Sequence, residues 1–97
     1  MAFIITSPAE IIKTVSSKAV ELRIDVGLTQ RELATKAGVS YSSLRVFENT
    51  GKASFELVVK VAYALGAEDE FGALFKARPI KSLDDLAENK RRLRVRK

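Results

Sequence analysis

The sequence predicts an all-α domain of five helices, with a short N-terminal strand or arm before it and a short C-terminal helix plus basic tail after it. Three observations carry this. Apolar residues recur at steps of three and four through most of the chain, the period of helices with one buried face. Ser or Thr stands before each of the first four helical stretches (Ser7, Thr29, Ser40, Ser54), and glycine follows them (Gly27, Gly38, Gly51, Gly66). The chain has 97 residues, which suits a single domain.

Residues 1–6 form the N-terminal strand or arm. Phe3-Ile4-Ile5-Thr6 is β-prone. It reads either as a small strand paired with its copy in a dimer or as a hydrophobic staple onto the first helix. Ser7-Pro8-Ala9-Glu10 opens that helix with a serine cap, proline at the first position and glutamate at the third. Ile11, Ile12, Val15, Ala19, Leu22 and Val26 mark its apolar side up to Gly27. After Gly51, Ser54 caps a fourth helix whose buried face is expected to be Phe55, Val58, Val61, Ala62 and Leu65. Glu68-Asp69-Glu70 opens a fifth, with acids suited to the positive end of the helix dipole. Phe71, Leu74 and Phe75 supply its apolar face, shared between core and dimer seam. The globular unit is placed at 7–76 and a C-terminal extension at 77–97. Pro79 breaks the chain there and Ser82 caps a short helix start.

The most informative stretch is 28–51, LTQRELATKAGVSYSSLRVFENTG. Thr29 and Glu32 stand at capping-box spacing. Leu33, Ala34 and Ala37 give a short helix one apolar face. Gly38 follows where a left-handed backbone is needed. Ser40 caps a second short helix that buries Leu44 and Phe47. A small alanine, a turn glycine and two apolar anchors let two helices cross closely at a steep angle, as a helix-turn-helix over 29–49 requires. A plain αα-hairpin is the bland alternative, but it does not need Gln30 and Glu48 at these spacings.

Gln30, Leu33, Ala34, Gly38, Val39, Leu44, Phe47, Glu48 and Gly51 together resemble the Cro/cI-type helix-turn-helix family. The resemblance covers roughly residues 10–75 and implies a Cro/cI-repressor-like DNA-binding fold. It also implies an ion pair between a first-helix arginine and the glutamate that closes the recognition helix, here Arg23 and Glu48. The alternative for Arg23 is a solvated surface side chain.

The family's docking mode lays the second helix of the motif in the major groove and the first across the backbone. The candidate DNA contacts are therefore Gln30, Arg31, Ser40, Tyr41, Ser42, Ser43, Arg45, Asn49, Thr50 and Lys52. Gln30 sits where helix amides favour phosphate and also braces the recognition helix. Tyr41 departs from the family, which often has an adenine-reading glutamine there. Its hydroxyl is expected on a phosphate, or its ring on a thymine methyl. Arg45 is the expected base reader, through a bidentate contact to guanine. Asn49, Thr50 and Lys52 are expected phosphate contacts. One helix reads few base pairs, so a homodimer on inverted repeats about one helical turn apart is expected. Phe3, Ile5, Phe71, Leu74 and Phe75 are its candidate contacts.

Charge and composition bound the function. The net charge is +5, yet Lys90, Arg91, Arg92, Arg94, Arg96 and Lys97 supply six positive charges in the last eight residues. The other residues carry eleven Lys/Arg against twelve Asp/Glu, so the body is not a general cation. The tail reads as a phosphate-binding arm, a docking tail for an acidic partner, or a solubilising end. The chain has no cysteine and no histidine. That removes disulfides, thiolate metal sites, and the commonest metal ligand and general base. No enzyme, cofactor or metal site is expected. No run of about eighteen apolar residues occurs, and MAFIITS lacks the basic start of a signal peptide. The expected location is cytoplasmic, on the nucleoid.

The N-terminal apolar run, Ser7-Pro8, FGALF, SLDDL and the arginine-rich end also resemble HipB-type antitoxins. That likeness implies a dimer that represses its own operon and carries a HipA-type serine/threonine kinase toxin. A stand-alone Cro/cI-type repressor without a toxin is the rival reading. A protein-interaction module that has lost DNA binding is a third.

Overall fold

The computed structural model describes residues 7–77. They form α1 (Pro8–Val26), α2 (Gln30–Ala37), α3 (Tyr41–Thr50), α4 (Phe55–Ala64) and a 3-10 helix (Glu68–Ala73). The N-terminal strand or arm, Phe3 and Ile5 within it, and the extension from Arg78 onward lie outside the described residues.

Side-chain caps set the start of every α-helix. Ser7 Oγ accepts from the Glu10 amide at 3.2 Å, Ser40 Oγ from Ser43 at 3.1 Å and Ser54 Oγ from Leu57 at 3.0 Å. Thr29 and Glu32 close a reciprocal capping box: the Glu32 amide donates to Thr29 Oγ1 at 3.1 Å, and the Thr29 amide to Glu32 Oε1 at 2.8 Å. Gly38 ends α2 with φ +73°, which returns the chain into α3. A side chain there would meet open space, so only its backbone shape demands glycine. Gly51 ends α3 with φ +83° and carries a second constraint, because a Cβ there would collide with Ile12 Cγ2. This glycine lets α1 lie close against the end of α3.

The core is Leu33 and Ala34 of α2, Leu44 and Phe47 of α3, and Leu57, Val61 and Ala64 of α4. α2 packs on both α3 and α4, α1 rides on α3, and the 3-10 helix rests on α4. Leu33 and Leu44 are fully buried. Truncating such a leucine costs about 2–5 kcal/mol, a large share of the stability of so small a domain.

The structure differs from the expected buried face of α4, from the apolar periodicity of α1, and from the expected extent of the fifth helix. In α4, Phe55 is 64% exposed, while the buried residues are Leu57, Val61 and Ala64. Val58, Ala62 and Leu65 are only half-buried. The apolar arc of the helix is broad, so its period alone could not fix the buried centre. In α1, Ile11, Ile12, Val15 and Val26 are close to half-exposed, and the buried residue is Ser16. Its hydroxyl donates to the Lys13 carbonyl at 3.1 Å, which satisfies it without a partner from another helix. The fifth helix is a single 3-10 segment that ends at Ala73. Leu74 leaves it in extended conformation, and Phe75 is 96% exposed with φ +63°. Only Phe71 remains on the segment, edge-on to Phe55 with ring centroids 5.8 Å apart.

Candidate nucleic-acid interface

The two helices of the motif are fastened by one polar cluster. Arg23, near the end of α1, donates through Nε to Glu48 Oε2 at 2.8 Å and through Nη2 to Glu48 Oε1 at 3.2 Å. Its Nη1 donates to the Leu28 carbonyl at 2.9 Å. Gln30, first residue of α2, donates through Nε2 to Glu48 Oε1 at 2.7 Å. Glu48 thus gathers α1, α2 and α3 at one carboxylate. The side chains of Arg23 and Glu48 are 14% and 3% exposed. Fork-to-fork geometry fixes orientation as well as distance. No buried side-chain nitrogen or oxygen among the described residues lacks a partner.

The anchoring leaves the opposite side of α3 open. Leu44 and Phe47 point inward. Ser42, Arg45, Val46 and Asn49 follow the i, i+3, i+4, i+7 pattern, share one stripe, and are exposed. Arg45 has no carboxylate partner among the described residues. Polar donors on an unburied helical stripe are what base edges in a major groove can accept.

The other candidates fall into distinct settings. Gln30 is half-buried, and its Nε2 donates to Glu48. Ser40 donates to Ser43 Oγ at 2.7 Å while capping α3, and the Ser43 hydroxyl faces solvent beside it. The Thr50 hydroxyl donates to the Val46 carbonyl at 2.7 Å and accepts from the Lys52 amide at 3.1 Å. It therefore shapes the turn into Lys52 and has no proton left for a phosphate. Lys52 itself is exposed. Tyr41 is half-buried, its ring packed against the core's edge. The Arg31 guanidinium lies 4.1 Å from the centre of that ring and the Arg45 guanidinium 5.6 Å.

A groove of about 380 Å³ runs between α3 and the start of α4. Ser42, Ser43, Val46, Lys52, Ala53, Ser54 and Leu57 line it. Ser54 enters this surface although its sequence signal is only that of a helix cap. The stacking of Arg31 on Tyr41 was likewise invisible, because it joins the second residue of α2 to the first of α3 across a turn whose path the sequence does not specify. Phe71 is half-buried, whereas Leu74 and Phe75 stand well away from α3 in the chain and are exposed.

Among the described residues, no helix is long and apolar enough to cross a membrane, and no cluster of His, Cys, Asp or Glu could hold a metal ion. Comparison with curated proteins and with solved structures gave no match. A helix-turn-helix family model matches residues 21–71, from the last turns of α1 into the 3-10 helix. That match spans more than half of the chain and centres on the two helices held by Glu48, so the chain belongs to the Cro/cI-type helix-turn-helix family of DNA-binding transcription regulators.

Proposed function

We propose that the protein is a sequence-specific repressor that binds an inverted-repeat operator as a homodimer and silences its own operon as the antitoxin of a HipA-type kinase. The observation that carries the DNA-reading part is the open stripe of Ser42, Arg45, Val46 and Asn49 on a helix clamped along its flank by Arg23, Gln30 and Glu48. A helix held this firmly presents side chains in one register, which base recognition needs. Lys52 and Arg31 flank the stripe as sources of phosphate affinity. The chain is read as a binding protein, not an enzyme.

The dimer follows from the chemistry of the target. One helix covers a few base pairs, and a two-fold pair of helices doubles both contacts and charge. Phe55, Leu74 and Phe75 are exposed apolar side chains available for that contact, and Phe55 touches the half-buried Phe71. The antitoxin role rests on the resemblance of the chain's two ends to HipB-type proteins, and the stand-alone repressor remains its rival.

Selection from a pool of duplexes with a randomised 24-base-pair centre tests the reading. The expected result is an inverted repeat with half-sites about one turn apart. Enrichment of no sequence over the starting pool overturns the DNA-reading part. Co-purification with the product of an adjacent kinase gene, and tighter operator binding in its presence, separates antitoxin from stand-alone repressor.

A further inference from the structure

We infer that Tyr41 is a positioning residue for DNA recognition: its ring is a platform on which the guanidiniums of Arg31 and Arg45 are set, and its hydroxyl is not needed. The inference rests on the DNA-binding reading and deepens it. Three observations point this way. The Arg31 guanidinium is 4.1 Å from the ring centre and that of Arg45 is 5.6 Å, both within cation–π range. Neither arginine pairs with a carboxylate among the described residues, so the ring is the neighbour that holds each of them. Tyr41 is itself half-buried against the core, so the platform is fixed while the cations above it remain exposed.

The consequence is a coupled pair. Arg31 belongs to α2, the helix that crosses the backbone, and Arg45 to α3, the helix that reads bases. Two like charges gathered at one ring repel each other, and an anion between or beside them relieves that repulsion. A phosphate contacted by Arg31 therefore favours the placement of Arg45 over its base pair. A planar, delocalised cation can lie flat on a ring, whereas a lysine ammonium is drawn to it by charge alone and is held less firmly. The position at which this chain departs from its family's adenine-reading glutamine thus keeps a part in specificity, exercised through its neighbours.

The test uses the full chain and its best duplex from the selection above. Tyr41→Phe is expected to bind within twofold of the wild type. Tyr41→Leu is expected to lose tenfold or more and to flatten the preference at the base pair that Arg45→Ala also flattens. Arg31→Lys, at an exposed site that leaves the fold intact, is expected to lose several-fold while the net charge is unchanged. In a double-mutant cycle, Tyr41→Leu and Arg31→Lys should be clearly non-additive. In the DNA-free protein, the Arg31 side-chain protons should show upfield ring-current shifts that survive Tyr41→Phe and vanish in Tyr41→Leu. Equal losses for Tyr41→Phe and Tyr41→Leu assign the role to the hydroxyl and overturn the inference. So do unchanged binding in both Tyr41→Leu and Arg31→Lys, or additive effects of the two. A wild-type chain that selects no sequence overturns the DNA-binding reading and this inference together, whereas the other outcomes leave that reading standing.

Discussion

Arg23 and Glu48, 25 residues apart in the chain, meet edge to edge through two hydrogen bonds at 2.8 and 3.2 Å. Their contact decides how α3 is held. Glu48 is nearly inaccessible to solvent and carries a third bond from Gln30. Removing it strands a guanidinium and an amide that the fold has already taken out of water.

The expected outcome of Glu48→Ala is a loss of about 3 kcal/mol in urea unfolding, the scale for breaking a buried pair by deleting one member. Glu48→Gln should cost less, since a carboxamide oxygen still accepts from Arg23. Wild-type stability in Glu48→Ala would show that the contact contributes nothing net.

The glycines at 38 and 51 are expected to differ when changed to alanine. Gly38→Ala meets open space and should cost only its left-handed backbone, about 1 kcal/mol. Gly51→Ala has the same backbone demand and also drives Cβ into Ile12, so its cost should be clearly larger. In an Ile12→Ala background the extra cost of Gly51→Ala should disappear. Thermal unfolding of the four variants gives the answer, and equal losses at the two glycines would remove the steric argument.

The register of α4 is open to a direct test. Leu57→Ala should destabilise by about 2–5 kcal/mol, because Leu57 is 8% exposed and lies in the core. Phe55→Ala, at a 64% exposed site, should cost well under that in the monomer. The reverse order would return the buried face to the side that periodicity first suggested.

On DNA, Arg45→Ala should relax the preference at one base pair per half-site, by about 1–3 kcal/mol in discrimination. Lys52→Ala should weaken all duplexes alike and lower the salt slope by about one. Titrations at several salt concentrations, on the selected duplex and on one scrambled in the half-sites, separate the two signatures.

Phe75 offers a handle on assembly. An aromatic side chain at φ +63° and 96% exposed has a strained backbone and no apolar cover among the described residues. Phe75→Asp is expected to shift sedimentation at micromolar concentration from dimer to monomer while leaving the α-helical signal unchanged. An unchanged dimer would move the contact elsewhere.

The sequence was most legible where local chemistry and long-range packing make the same demand. Thr29 with Glu32, Gly38, and Ser40 each have a purely local reason for their identity, and the helix-turn-helix over 29–49 followed from them. Leu33, Ala34, Leu44 and Phe47 were placed in the core because α2 and α3 each have only one apolar side. Legibility failed where the apolar arc is wider. α4 buries Leu57, Val61 and Ala64 and packs Val58 and Leu65 against the core, yet leaves Phe55 exposed, so its apolar arc is too broad for the period to fix the buried centre. The fifth helix was overestimated because acids and aromatics gave it a start and a face, while nothing local marked its end at Ala73. Within the candidate site, the stripe on α3 could be read from spacing. The bracing of the recognition helix by Gln30 was also expected and is made through Glu48, whereas the commitment of Thr50 to Val46 could not be read, since it depends on which way a side chain turns.

The clamp at Glu48 and the stripe at Ser42, Arg45, Val46 and Asn49 occupy different sides of one ten-residue helix. The residues that keep the helix in place are therefore not the residues that face its target. Substitutions along the stripe can accumulate without disturbing the anchor. A lineage carrying this fold can drift from one operator sequence to another while passing only through folded intermediates, and an engineer can follow the same route by randomising those four positions alone.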